Sequence, residues 1–132
     1  MCTTTARAEL LLPQATTSPR AAREFAIASG CTEHALAVLD DALLIITELV
    51  TNAVKHGAAP ILLAIECEDG ALRVRVRDGA TGPPQPRVAS DDDEGGRGLT
   101  LVELLTDAWG VEAVEDEHGP GKAVWFQLRT SR

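Results

Sequence analysis

Apolar and polar positions along the first thirty residues form two patterns. An apolar run over residues 8–13 ends at a proline and predicts a short strand. The segment that follows predicts a helix, with Ser18 as its N-cap, Pro19 in its first turn and Gly30 as its stop. The chain therefore opens with a strand and a short helix.

A longer helical pattern follows, from about Glu33 to His56. Its apolar residues recur at helical spacing, and Gly57 stands where a helix would close. The part before about Asp40 could instead form a separate turn. The pattern predicts a long helix with one apolar face.

The next segment, residues 59–78, has the pattern of a β-hairpin. Two runs rich in β-forming residues flank Asp69–Gly70, and "LRVRVRD" alternates strictly between apolar and polar positions. Residues 79–98 then contain Gly, Pro and acidic residues with almost no apolar anchor, as is typical of a lid or a binding loop.

The last third of the chain resumes regular structure. A short helix begins near residue 99, and strands are predicted at 109–115 and 122–129. Because hairpins pair the strands while the helices are grouped, we expect one α+β domain over residues 1–132. Its architecture would be a two-layer sandwich, with helices on one face of a mixed, mostly antiparallel sheet.

Composition and charge exclude several function classes. The 132 residues carry a formal net charge of −8, which argues against direct nucleic-acid binding. The N-terminus lacks the apolar core of a signal peptide, and no apolar run reaches transmembrane length, so we expect a cytoplasmic protein without membrane contact. The odd number of cysteines and their wide spacing predict three free thiols, at Cys2, Cys31 and Cys67.

The motif "ELVTNAVKHG" places polar residues along one side of the long helix. Glu48 and Asn52 lie one turn apart, and Lys55 and His56 continue the stripe. A carboxylate beside an amide oxygen suits Mg²⁺, and the carboxylate is also a candidate general base. A solvated helix edge with an i, i+4 hydrogen bond would give the same pattern.

Two further motifs have a chemical interpretation. Asp78 ends the alternating strand, where an acceptor-only carboxylate could bind an amino group such as that of adenine, or could simply cap the turn. "GGRGL" precedes a helix, so its backbone N–H groups could bind an anion; a glycine cluster can also simply form a loop.

Taken together, the motifs resemble a known family. "ELVTNAVKHG", "VRDGATGPP", "GGRGLTLVELLTDAWG" and "GKAVWFQL" occur in the order typical of GHKL (Bergerat-fold) ATP-binding domains. Within that family the chain resembles the small anti-sigma-factor serine/threonine kinases, from about residue 8 to residue 129.

The resemblance implies roles for individual residues. Glu48 would be the catalytic base, Asn52 the Mg²⁺ ligand and Asp78 the acceptor for the adenine amino group. Residues 79–98 would form the ATP lid. Lys55 and His56 would either approach the phosphates or serve only as favourable charges at the helix end. The other implied ATP-binding residues are Gly82, Gly96, Arg97, Gly98 and Leu99.

The chain also departs from the family pattern. Ala80 stands where the first glycine of the first Gly box is expected, and Ala has less backbone freedom than Gly. Lys122 and Ala123 stand in the last box, where a threonine hydroxyl usually helps to hold the adenine-binding Asp. Losing one neutral hydrogen bond costs about 0.5–1.5 kcal/mol, which would weaken ATP binding without abolishing it.

The resemblance also implies partners. The protein would phosphorylate a Ser or Thr of an anti-anti-sigma antagonist and hold a sigma factor inactive, and the resemblance suggests a homodimer. An alternative is a nucleotide-binding module that sequesters its partner without useful phosphotransfer. The ATPase part of a sensor histidine kinase fits less well, because no helical segment carrying a phosphoacceptor His precedes the motifs.

Overall fold

In the part of the chain that the structure describes, five strands form a single antiparallel sheet with the order β1-β2-β3-β5-β4. The computed structural model describes residues 6–29, 32–68, 70–81 and 97–129. Its strands are β1 (Ala6–Leu12), β2 (Ile61–Glu68), β3 (Ala71–Asp78), β4 (Ala108–Asp116) and β5 (Gly119–Arg129). Its helices are α1 (Ser18–Ala28), α2 (Thr32–His56) and α3 (Arg97–Leu105).

The predicted fold class, α+β with helices layered on a sheet, is confirmed. The apolar positions of the alternating strand β3, Leu72, Val74 and Val76, are buried, whereas the polar Arg73 is exposed. Every strand pairing among the described residues is antiparallel, so this part of the sheet has no parallel component. The hairpin turn at Gly70 has a positive φ of 78°, which glycine adopts without strain.

Helix α2 supplies the largest helical part of the core. It runs unbroken through 25 residues, so a separate turn before Asp40 is wrong. Its apolar face is buried against the sheet and the other helices, and includes Ile45, Ile46, Leu49 and Val50. None of the helices in the described residues combines the length and the apolarity needed to cross a membrane.

The start of α1 differs from the sequence prediction. Thr17 occupies the N-cap position, without a side-chain capping bond, and Ser18 lies inside the helix. The Ser18 side chain is buried and its hydroxyl donates to the carbonyl of Pro13. The turn from β1 brings that carbonyl against the hydroxyl, so Ser18 joins the strand to the helix instead of capping it.

Cys67 also departs from its prediction. It is disulfide-bonded in the structure, so the expectation of a free thiol at this position is wrong. Cys2 and Cys31 lie outside the described residues.

The C-terminal end of α2 is held by a side chain from the turn after β1. The Gln14 amide Nε2 donates to the carbonyls of Val54 and Gly57, at 3.1 and 3.0 Å. The last carbonyls of a helix have no partner within the helix, so an outside donor stabilises this end. Gln14 thereby fixes the point at which α2 meets the sheet.

We expect Gln14→Ala to lower the free energy of unfolding by about 1–2 kcal/mol, because two hydrogen bonds to helix-terminal carbonyls are lost. Urea denaturation followed by circular dichroism measures this difference. Thr16→Ala is the matched control, since Thr16 is exposed on the same turn. Equal stability of the two variants would contradict a capping role for Gln14.

Candidate functional site

Asp78 is a buried carboxylate at the end of β3. Only 6% of the residue is exposed, and it lies on the sheet face that the helices cover. Its Oδ1 accepts a hydrogen bond from the backbone N–H of Ala80 at 2.8 Å. The backbone N–H of Ala58, in the loop after α2, also donates to this carboxylate. Backbone donors from two segments therefore hold the carboxylate in place.

Burial raises the pKa of Asp78 above its ordinary 3.8. The hydrogen bonds from Ala80 and Ala58 and the charges of Lys122 and Arg77 act in the opposite direction, but burial outweighs them. An ionised carboxylate accepts about four hydrogen bonds, so two backbone donors leave capacity for a ligand donor. The chemistry of the site suits an amino group.

Gly57 lets the end of α2 approach this carboxylate closely. A Cβ at position 57 would lie 2.7 Å from Asp78 Cγ and Oδ2, closer than real Cβ atoms come. The Gly79 N–H donates to the carbonyl of Ala58 at 2.7 Å, so the residue after β3 is also bonded to the loop after α2. The glycine predicted only as a helix stop is therefore also required for packing against Asp78.

The polar residues Asn52 and Glu48 of α2 lie further from this contact, towards the start of the helix. Asn52 and Glu48 precede Gly57 by about 7.5 and 13.5 Å along the helix axis, given its rise per residue. Both residues are half-buried. In the described part of the chain, Asn52 Oδ1 is a buried side-chain oxygen without a hydrogen-bond partner.

An orphaned amide oxygen of this kind fits a hard cation. Burying a polar atom without a partner costs free energy, which a bound metal ion would recover. Within the described residues, no group of three or more His, Cys, Asp and Glu is placed to hold a metal. Mg²⁺ suits such a site because it needs only one or two protein ligands when phosphates and water complete its shell.

Lys55 and His56 lie in the last turn of α2, and both are exposed. Neither lacks an interaction partner, and the same holds for Glu48. Positive charge at this position also favours the helix C-terminus. A phosphate contact by Lys55 or His56 therefore stays a prediction.

The predicted phosphate-binding segment is described only in part. Helix α3 begins at Arg97, inside "GGRGL", so Arg97, Gly98 and Leu99 form its first turn. Gly82 and Gly96 lie outside the described residues.

The departure at Ala80 causes no backbone strain. No residue other than glycine has a positive φ among the described residues, so position 80 needs no glycine. Its N–H makes the bond to Asp78 described above.

The departure at the last box places a charge beside Asp78. Lys122 pairs with Asp78 in the β3–β5 ladder, so the two side chains share a face, and the lysine charge acts to lower the pKa of the carboxyl. Ala123 pairs with Arg77 and is fully buried. A cation therefore occupies the position at which the resemblance leads one to expect a hydroxyl.

Arg77 is the residue near the site that the sequence does not single out. It is fully buried, and its Nε and Nη2 donate to the two carboxylate oxygens of Asp116 at 3.0 and 2.8 Å. In the sequence it is the third arginine of "RVRVRD" and resembles the exposed Arg73. Only the fold of the β4–β5 hairpin distinguishes them.

A family model identifies the protein family to which the chain belongs. A family model described as a histidine kinase-like ATPase domain matches residues 9–128. The chain belongs to this family.

A solved structure supports the same fold for this ATPase domain. The crystal structure of the RsbU and RsbW domains of Rv1364c from Mycobacterium tuberculosis matches with a TM-score of 0.61 and 22% sequence identity. The match covers 93% of this chain and 31% of that chain. No curated protein sequence matches the chain.

The pKa values of Asp78 and of Asp116, the partner of Arg77, should be shifted in opposite directions from their ordinary value. We expect Asp78 to protonate above 3.8 because of burial, and Asp116 below 3.8 because Arg77 stabilises its ionised form. A ¹³C NMR titration of the side-chain carboxyl carbons measures both pKa values. The reverse order would contradict the site described here.

The same shifts determine how each group affects stability. The folded pKa of Asp78 is raised, so its contribution to the free energy of unfolding grows as pH falls through that pKa and is complete below 3.8. The folded pKa of Asp116 is lowered, so its contribution is present above 3.8 and is lost as pH falls through the folded value.

Proposed function

We propose that this ATPase domain binds Mg·ATP and acts as a serine/threonine kinase of the anti-sigma type. The observation that carries the proposal is the orphaned oxygen of Asn52, on the helix whose end packs against the buried Asp78. These two groups fit the two ends of one ligand, a base with an amino group and a metal-bound phosphate chain.

Asp78 would select adenine. Its ionised carboxylate only accepts hydrogen bonds, and the six-position of adenine carries an amino donor. Guanine has a carbonyl oxygen at that position. The carboxylate and this oxygen are both acceptors, so no hydrogen bond could form between them. ATP is therefore the nucleotide that this site favours over GTP.

Asn52 and Glu48 would serve the phosphate end. The Asn52 Oδ1 would hold Mg²⁺, which when bound neutralises charge on the phosphates. The Glu48 carboxylate would take the proton from the attacking hydroxyl of a Ser or Thr. One turn of α2 separates the two side chains, so a single helix would fix both relative to Asp78.

The partner class rests on the motif resemblance. At 22% identity the RsbW-containing structure supports the fold alone, so the substrate is inferred from the anti-sigma kinases that the motifs resemble. The substrate would be a Ser or Thr of an anti-anti-sigma antagonist. A sigma factor would be the sequestered partner of a cytoplasmic homodimer.

A second function is favoured by one observation. Lys122 occupies the position of the expected hydroxyl beside Asp78, which alters how the adenine-binding residue is held. A domain altered in this way could bind nucleotide and sequester its partner without useful phosphotransfer.

Calorimetric titration with ATP and Mg²⁺ tests the binding step. We expect the wild type to bind in the micromolar range. Asp78→Asn should weaken binding by about tenfold or more, because it presents a donor to the adenine amino group. Asn52→Ala should remove the Mg²⁺ dependence. Absence of binding at millimolar ATP would contradict the proposed function.

Phosphotransfer separates the two candidate functions. Labelled ATP is incubated with candidate anti-anti-sigma proteins and each variant of the chain. Glu48→Gln should bind ATP normally but lose about 10²–10⁴-fold in rate, since the general base is removed. Glu103→Gln, an exposed carboxylate on α3, is the matched control. A wild type that binds ATP and transfers nothing would favour sequestration.

A further inference from the structure

The guanidinium of Arg77 is fully buried, and each of its nitrogens donates to an acceptor of the protein. Arg77 is 0% exposed, and it points to the sheet face opposite that of its neighbours Val76 and Asp78. Besides its paired bonds to Asp116, Nη2 donates to the carbonyl of Gly119 and Nη1 donates to the carbonyl of Asp78 at 3.2 Å. A buried guanidinium is tolerated only with such partners.

These contacts join the β4–β5 turn to the end of β3. Asp116 and Gly119 flank the turn and face each other in the ladder. Asp116 itself keeps about a third of its side chain exposed. One arginine therefore links an exposed turn to the carbonyl of the buried Asp78.

The peptide group between Asp78 and Gly79 is consequently held at both ends. Its carbonyl accepts from Arg77, and its N–H donates to the carbonyl of Ala58 at 2.7 Å. A peptide unit is planar, so two bonds on opposite sides fix its orientation. The orientation of this peptide determines where the Asp78 side chain and the Ala80 N–H are placed.

Gly121 makes room for this arrangement. A Cβ at position 121 would lie 2.1 Å from the carbonyl oxygen of Asp78 and 2.9 Å from Arg77 Nη1. Any side chain there would displace both groups, so the guanidinium can cross β5 only at a glycine. The glycine and the arginine therefore form one structural unit.

We propose that Arg77, with its charge balanced by Asp116, is a positioning residue for adenine recognition. It acts through the Asp78–Gly79 peptide, so a turn outside the nucleotide pocket controls the geometry of the base-binding carboxylate. The inference rests on the proposed function, because it assigns Asp78 to adenine. It also explains how Asp78 is held when Lys122 replaces the hydroxyl expected beside it.

A purely structural ion pair would behave differently from a positioning residue. Its loss would lower the melting temperature and leave the ratio of ATP to GTP affinity unchanged at temperatures where the protein is folded. Loss of a positioning residue changes that ratio, because the interaction with the adenine amino group depends on the carboxylate geometry. Base selectivity is therefore the readout that separates the two roles.

The test uses Asp116→Ala, with Glu117→Ala as the matched control. Both remove one carboxylate from the same turn, but the Glu117 side chain is 87% exposed and its carboxylate lies 3.9 Å from His118 Nε2. Calorimetry with ATP and with GTP, below the melting temperature of each variant, gives the selectivity. Asp116→Ala should weaken ATP binding about tenfold with little change for GTP. Glu117→Ala should leave both affinities unchanged, and Asp116→Asn should be intermediate.

A second measurement needs no nucleotide. Hydrogen exchange of the Gly79 amide, followed by NMR, should be faster in Asp116→Ala than in the wild type and unchanged in Glu117→Ala. If the wild type binds ATP but Asp116→Ala keeps the wild-type selectivity, the positioning role is overturned. If the wild type does not bind ATP, the proposed function fails instead, and unchanged Gly79 exchange would then overturn the anchoring by Arg77 as well.

Discussion

A carboxylate buried at the end of a central strand destabilises a fold unless hydrogen-bond donors replace the water it loses. Asp78 is in this situation, and the surrounding structure supplies the donors. The loop after α2 contributes the N–H of Ala58, and the turn after β3 contributes that of Ala80. Gly57 removes the side chain that would otherwise collide with the carboxylate. The end of α2 and the end of the central strand β3 therefore meet at the carboxylate of Asp78.

The same helix serves both stability and chemistry. Its apolar face supplies much of the core, while Glu48 and Asn52 lie on its half-buried side. Because both faces belong to one rigid element, the packing that stabilises the fold also sets the distance from Asp78 to the proposed phosphate end. Gln14 contributes by fixing the end of the helix through two carbonyls.

Local pattern was sufficient for some features and insufficient for others. The period of α2 and the alternation of β3 are dictated by burial along one element, so the sequence predicts both well. The sequence pattern predicts the wrong role for Ser18, because a hydroxyl can cap a helix or donate to a carbonyl elsewhere. Only the turn from β1 determines which of the two bonds forms. Arg77 resembles the exposed Arg73 in the sequence, and only the β4–β5 hairpin distinguishes the two. The disulfide at Cys67 has no signal in the local sequence pattern.

Asp78 and Asn52 would receive the two ends of one Mg·ATP molecule. A crystal structure of the chain with Mg²⁺ and a non-hydrolysable ATP analogue would show this arrangement or exclude it. We expect the adenine amino group within about 3 Å of the Asp78 carboxylate and the metal ion on Asn52 Oδ1. A nucleotide bound elsewhere, or an Asn52 oxygen bonded to protein atoms in that complex, would contradict it.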